Sequence, residues 1–97
     1  MPFTGGDVQR NLPTKGFQED RSGDHIYFYF WKDGKKTQFY TKVSHGSKKE
    51  IMGDNLVKLM KRQLGLDTLA QVRALVECTM DQAQYVSTLQ DANRLPR

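Results

Sequence analysis

The chain has 97 residues with 15 basic and 11 acidic side chains, a net charge of +4 and a pI near 9.3. That length supports one domain, which excludes a large two-domain cofactor enzyme. With 37% hydrophobic and 27% charged residues it is expected to be globular, and its longest apolar or aromatic run, Ile26 to Trp31, falls far short of the ~20 residues of a membrane helix.

In chain order, Thr4 and Asp7 form a capping box flanked by Phe3 and Val8 at the hydrophobic-staple positions, which predicts a short helix over 5–12. Pro13 stops or kinks it, and Lys15-Gly16-Phe17 leads into a short strand over 17–20. His25–Trp31 and Lys36–Val43 are rich in aromatic and β-branched residues, with Asp33-Gly34 between them as a type I′ hairpin turn. A plain two-residue hairpin sets Phe30 opposite Thr37, Phe28 opposite Phe39 and Ile26 opposite Thr41 on one side. On the other side His25 faces Lys42, Tyr27 faces Tyr40, Tyr29 faces Gln38 and Trp31 faces Lys36.

Residues 44–50 read as a loop. Asp54 is expected to cap a helix over 55–64 with Leu56, Leu59, Met60 and Leu64 inward and Lys58, Lys61 and Arg62 outward, ended at Gly65-Leu66. Asp67 is expected to cap a third helix bearing Leu69, Val72, Leu75 and Val76. Thr79 and Gln82 suggest a capping box for a fourth, with Ala83, Val86 and Leu89 on its apolar stripe, before a frayed tail over 91–97. The sum is an α+β domain over 1–97, a three-stranded antiparallel sheet roofed by helices on one face.

Charge is unevenly placed. Residues 32–62 hold nine basic side chains against Asp33, Glu50 and Asp54, a net of +6, whereas residues 63–97 carry three Arg against four acids. A field of one sign on a small domain favours a polyanion or an acidic protein partner. The single Cys78 cannot form an internal disulfide or build a zinc site alone, and reads as a small core residue. The N-terminus lacks a basic stretch followed by an apolar one, so a cytoplasmic location is expected.

Several short segments occur in the order found in a known family. They are Lys15-Gly16-Phe17, Arg21-Ser22-Gly23-Asp24-His25-Ile26-Tyr27-Phe28, Ser44-His45-Gly46, Ile51-Met52-Gly53-Asp54-Asn55-Leu56 and Arg62-Gln63-Leu64-Gly65-Leu66. Through them residues 5–66 resemble the HicA toxins, leaving 67–90 as a helical extension. The resemblance implies a fold like that of double-stranded-RNA-binding domains (dsRBD-like, α-β-β-β-α) with two extra C-terminal helices. It also implies an endoribonuclease that cuts messenger RNA, a HicB-type antitoxin as protein partner, and His25 at the position of the catalytic histidine. The family usually carries Gly-Ser-His where this chain has Gly23-Asp24-His25, so a carboxylate replaces a hydroxyl.

The residues themselves agree with that chemistry. Cleavage by the ribose 2′-hydroxyl needs a group to take its proton and a cation near the phosphate. His25 suits the first task and Lys42, across the hairpin in the inferred register, the second. Tyr27, Tyr29, Trp31 and Tyr40 can stack on unpaired bases, with Lys36 among them. Lys48, Lys49, Lys58, Lys61 and Arg62 are candidate phosphate contacts. No metal or other cofactor is needed by this scheme. His45, beside Gly46 in a loop, is not assigned to proton transfer. Two alternatives use the same surface: a non-catalytic RNA-binding module, and a protein-interaction domain whose aromatic face is covered by a partner, by a second protomer or by the last two helices.

Overall fold

Thr4 starts the first helix as expected. Its side chain accepts from the Asp7 amide at 3.2 Å while the Asp7 carboxylate accepts from the Thr4 amide at 2.8 Å, and Phe3 and Val8 are both buried. A computed structural model of the protein describes residues 3–77 and 79–96, so Cys78 and Arg97 lie outside the described residues. Helix α1 (Gly5–Asn11) runs into a 3-10 turn, Leu12–Lys15, that absorbs Pro13 near its start. Strand β1 (Phe17–Asp20) follows, then β2 (His25–Lys32) and β3 (Lys35–Ser44), forming an antiparallel sheet in the order β1-β2-β3. Asp33 and Gly34 have φ of 53° and 77°, the type I′ geometry predicted for the hairpin.

The hairpin register differs from the expected one. Trp31 pairs with Lys36, but Tyr29 pairs with Tyr40 rather than Gln38, Tyr27 with Lys42 rather than Tyr40, and His25 with Ser44 rather than Lys42. Likewise Phe28 lies opposite Thr41 and Ile26 opposite Val43. Two extra residues of β3 bulge out beside Phe30, and Thr37 holds them there. Its hydroxyl donates to the Phe30 carbonyl at 2.7 Å and accepts from the Phe39 amide at 3.2 Å. A shift of two preserves the alternation of faces, so Phe39 stays buried and Tyr40 takes the outer place expected for Gln38.

One face of the sheet, Phe17, Ile26, Phe28, Phe30, Phe39 and Val43, is buried with Val8 of α1, Leu12 of the 3-10 turn and α2 (Asp54–Leu64). Helix α2 caps on Gly53 without a side-chain hydrogen bond, and Asp54 is its first residue rather than its cap. Its inward stripe is Val57, Met60 and Leu64, with Leu56 partly buried. Leu59, expected inward, is 42% exposed because it lies a turn edge away from the line Val57-Met60-Leu64. The helix closes in a Schellman arrangement, the Leu66 amide donating to the Lys61 carbonyl at 2.9 Å.

Helices α3 (Leu69–Val76) and α4 (Gln82–Asp91) are capped one or two residues from the expected places, by Thr68 with Gln71 and by Asp81 with Gln84. They do not cover the aromatic face. Helix α4 buries Tyr85 and Leu89, not Ala83, and the Tyr85 ring packs 5.5 Å from Phe17 and 4.9 Å from Phe30 on the inner face. The Tyr85 hydroxyl donates to the Leu64 carbonyl at 2.7 Å. Buried Lys15 donates to the carbonyls of Leu75 and Met80 at 2.6 and 2.5 Å, and Asn11 to that of Val76 at 2.6 Å, joining the extension to the first helix. The residues after α4 are tied down rather than frayed as far as Pro96. Arg94 donates to the Gly65 carbonyl and pairs with Asp67, and Gln90 donates to the Pro96 carbonyl. No helix among the described residues is long and apolar enough to cross a membrane.

Candidate nucleic-acid interface

Alternation along β2 turns His25, Tyr27, Tyr29 and Trp31 away from the helices, each partly exposed. Tyr27 and Tyr29 lie two residues apart with their rings 5.6 Å apart and only 5° from parallel. Tyr40 leans against both at 6.2 and 6.0 Å, and His25 meets Tyr27 edge-on at 6.5 Å. Lys36 places its ammonium 3.8 Å from the Tyr29 ring centre, and Lys42 places its own 5.8 Å from that of Tyr27. The result is a row of rings edged by cations. Desolvation by these neighbours, then the charges of Asp20, Tyr27 and Tyr40, raises the Tyr29 hydroxyl above the ordinary phenol value, so at neutral pH it is a neutral donor.

At the His25 end of the row, between the hairpin, the loop after it and α2, a cavity of about 150 Å³ is lined by His25, Lys42, Ser44, Ser47, Glu50 and Gln63 and by the apolar Val43, Met52, Leu56 and Leu59. The two residues expected to do chemistry therefore meet at one cavity, although the register no longer sets them directly opposite. At the other end a shallower hollow of about 420 Å³ brings Tyr29, Trp31 and Lys36 together with Asp20, Arg21 and Ser22. Ser22 donates to Asp20 through its hydroxyl and its amide, which holds that carboxyl below the ordinary carboxylate value. Along the outer edge of β3 an open groove of about 700 Å³ joins Tyr40 to Arg62, Gln63 and Arg94.

The remaining expected contacts are dispersed. Lys48 and Lys49 are exposed in the loop after β3, and Lys58 and Lys61 lie on α2, the helix behind the sheet. None of these four lines the three cavities. Asp24 is exposed in the bend before β2.

The loop over 44–50 is built more firmly than its composition suggests. Ser47 is buried, its amide and hydroxyl both donating to the Ser44 carbonyl. The Gly5 amide donates to the Glu50 carbonyl at 3.0 Å and the Gly6 amide to that of Lys48 at 2.9 Å. A Cβ on Gly5 would meet the Ser47 carbonyl oxygen at 2.4 Å, and one on Gly6 the Lys48 carbonyl oxygen at 2.5 Å, so only glycine permits this approach. Ser47, Glu50 and Gln63 are cavity residues that the sequence does not single out. The paired glycines that open α1 are the one local hint of a close approach there.

Among the described residues, no three or more His, Cys, Asp or Glu side chains gather as a metal site. Compared with known protein families, characterised proteins and solved structures, the chain matches none.

Proposed function

We propose that this protein is a small RNA-binding endoribonuclease of the HicA type, cutting messenger RNA and held inactive by a HicB-type antitoxin protein. The observation that carries this reading is the meeting of His25 and Lys42 at one cavity, at the end of a tyrosine and lysine face that no helix covers. The order α1-β1-β2-β3-α2 supports a dsRBD-like core to which α3 and α4 are appended. In this reading His25 takes the proton of a ribose 2′-hydroxyl as that oxygen attacks the adjacent phosphorus. Lys42 offsets the negative charge that grows on the phosphate oxygens. Tyr27, Tyr29 and Tyr40 stack on unpaired bases, while Lys36 and Arg62 meet phosphates on either side. A cytoplasmic site of action follows from the substrate.

The purified protein should cleave single-stranded RNA in excess EDTA. His25→Ala should slow cleavage by about 10²- to 10⁴-fold, the usual contribution of a positioned acid or base, with an unchanged unfolding transition. A folded His25→Ala protein that cleaves at the normal rate removes His25 from the mechanism. Wild-type protein that binds RNA in a salt-sensitive way without cutting it is a non-catalytic RNA-binding module, and one with little RNA affinity at physiological salt that forms a stable, nuclease-insensitive complex is a protein-interaction domain.

A further inference from the structure

The chain has two histidines, and the fold brings both to the same end of the sheet. His25 opens β2, and His45 follows Ser44, the residue paired with His25 across the hairpin. The His45 Nε2 lies 3.0 Å from the Gly23 carbonyl oxygen. A carbonyl can only accept, so Nε2 carries the hydrogen and donates it. Nδ1 is then the nitrogen that gains or loses a proton when the ring passes between imidazolium and imidazole. Gly23 precedes His25 by two residues, at most about 7 Å of chain, so this contact anchors the second imidazole beside the start of the strand that carries the first. The residue is exposed, and its loop is braced by buried Ser47 and by the amides of Gly5 and Gly6. His45 stands outside the lining of the cavity that His25 and Lys42 share, and its exposed ring, with one nitrogen fixed by a carbonyl on a loop that is held in place, leaves the other nitrogen open to a substrate that extends past that cavity.

The geometry points to His45 as a second catalytic residue, the general acid that protonates the departing oxygen, an assignment that rests on the ribonuclease reading above. The 2′-hydroxyl proton passes to His25 as the 2′-oxygen bonds to phosphorus. The bond from phosphorus to the 5′-oxygen of the next nucleotide breaks, and that oxygen takes the proton from His45 Nδ1. The products are a 2′,3′-cyclic phosphate and a 5′-hydroxyl, with His25 left protonated and His45 neutral. A sugar alkoxide leaves poorly without a proton, and an imidazolium gives one up at neutral pH more readily than a lysine ammonium does.

The test uses His45→Gln, whose side-chain amide can still donate to the Gly23 carbonyl but cannot shuttle a proton. Two oligoribonucleotides are compared, one natural and one with sulfur in place of the 5′-bridging oxygen at the linkage that the wild-type protein cuts. A thiolate leaves without protonation. His45→Gln is expected to slow cleavage of the natural linkage by about 10²-fold or more and of the sulfur linkage by less than about 3-fold, while His25→Ala slows both. Equal slowing of the two substrates by His45→Gln, or no slowing of the natural one, overturns the assignment and leaves His25 as the base. Wild-type protein that cuts neither substrate overturns the ribonuclease reading and this assignment together.

Discussion

The two faces of β2 are built from the same kind of residue and come to opposite ends. Ile26, Phe28 and Phe30 are fully buried beneath α1, α2 and Tyr85 of α4, whereas His25, Tyr27, Tyr29 and Trp31, alternating with them, stay partly exposed. Aromatic content alone does not separate the faces. The difference lies in the polar handle: a phenyl ring gains by leaving water completely, while a phenol buries its ring and keeps its hydroxyl wet. On the outer face the rings shield one another and carry lysine ammonium groups, which lowers the apolar area presented without any covering element. Tyr85 shows what burial of a phenol requires. Its hydroxyl has a carbonyl partner, and burial pushes its ionisation far above the ordinary phenol value.

That contrast can be broken by substitution. Phe28→Ala should cost about 3–5 kcal/mol in urea unfolding, since it empties a buried site between sheet and helices. Tyr27→Ala on the same strand should cost about 1 kcal/mol or less, the range of a cross-strand contact. Equal losses at both positions would mean that the outer face is also core. Tyr29→Ala should weaken binding of single-stranded RNA by about 1–3 kcal/mol in a titration at fixed salt, with little change in stability, and an unchanged affinity would take the tyrosine row out of the interface.

The smallest expected effect lies at α1, which braces the loop at the His25 end of the face. The Thr4 amide donating to Asp7, with Arg10 beside it, holds the Asp7 carboxyl below the ordinary carboxylate value. A lowered value in the folded state means stability that is fully present above the ordinary carboxylate range and is lost as pH falls through the folded value. Asp7→Asn should therefore cost about 1 kcal/mol or less at pH 7 and flatten the acid side of a plot of unfolding free energy against pH. An acid side as steep as the wild type's would place that pH dependence elsewhere.

Local signals carried much of this architecture. The Thr4 and Asp7 box, the Asp33-Gly34 turn, the alternation of β2 and the stop at Gly65-Leu66 each depend on residues within one or two turns of chain, and all are found in the structure. Caps moved by one or two residues where neighbours compete, as Thr68 does with Asp67 and Asp81 with Thr79. The hairpin register moved because Thr37 offers its own hydroxyl to the Phe30 carbonyl, a choice that turn length cannot reveal. Of the candidate site, His25, Lys42 and the tyrosine row were legible as one face of alternating strands, and the structure brings Lys42 and His25 to one cavity. The lysines of α2 were legible as outward but not as lying behind the sheet, since helix periodicity tells which side faces out and not what lies beyond it.

The amino-acid order by itself determined a basic chain and, among the described residues, a three-stranded antiparallel sheet and four α-helices, because propensity, turn chemistry and capping act over a few residues. Only the tertiary structure decided that Lys15 and Asn11 bind the far end of α3, that the loop over 44–50 docks on two glycine amides, and that His45 reaches Gly23. Those contacts join groups from 22 to 65 residues apart. Their partners exist only once the chain has folded back on itself and its buried and bent backbone carbonyls need donors.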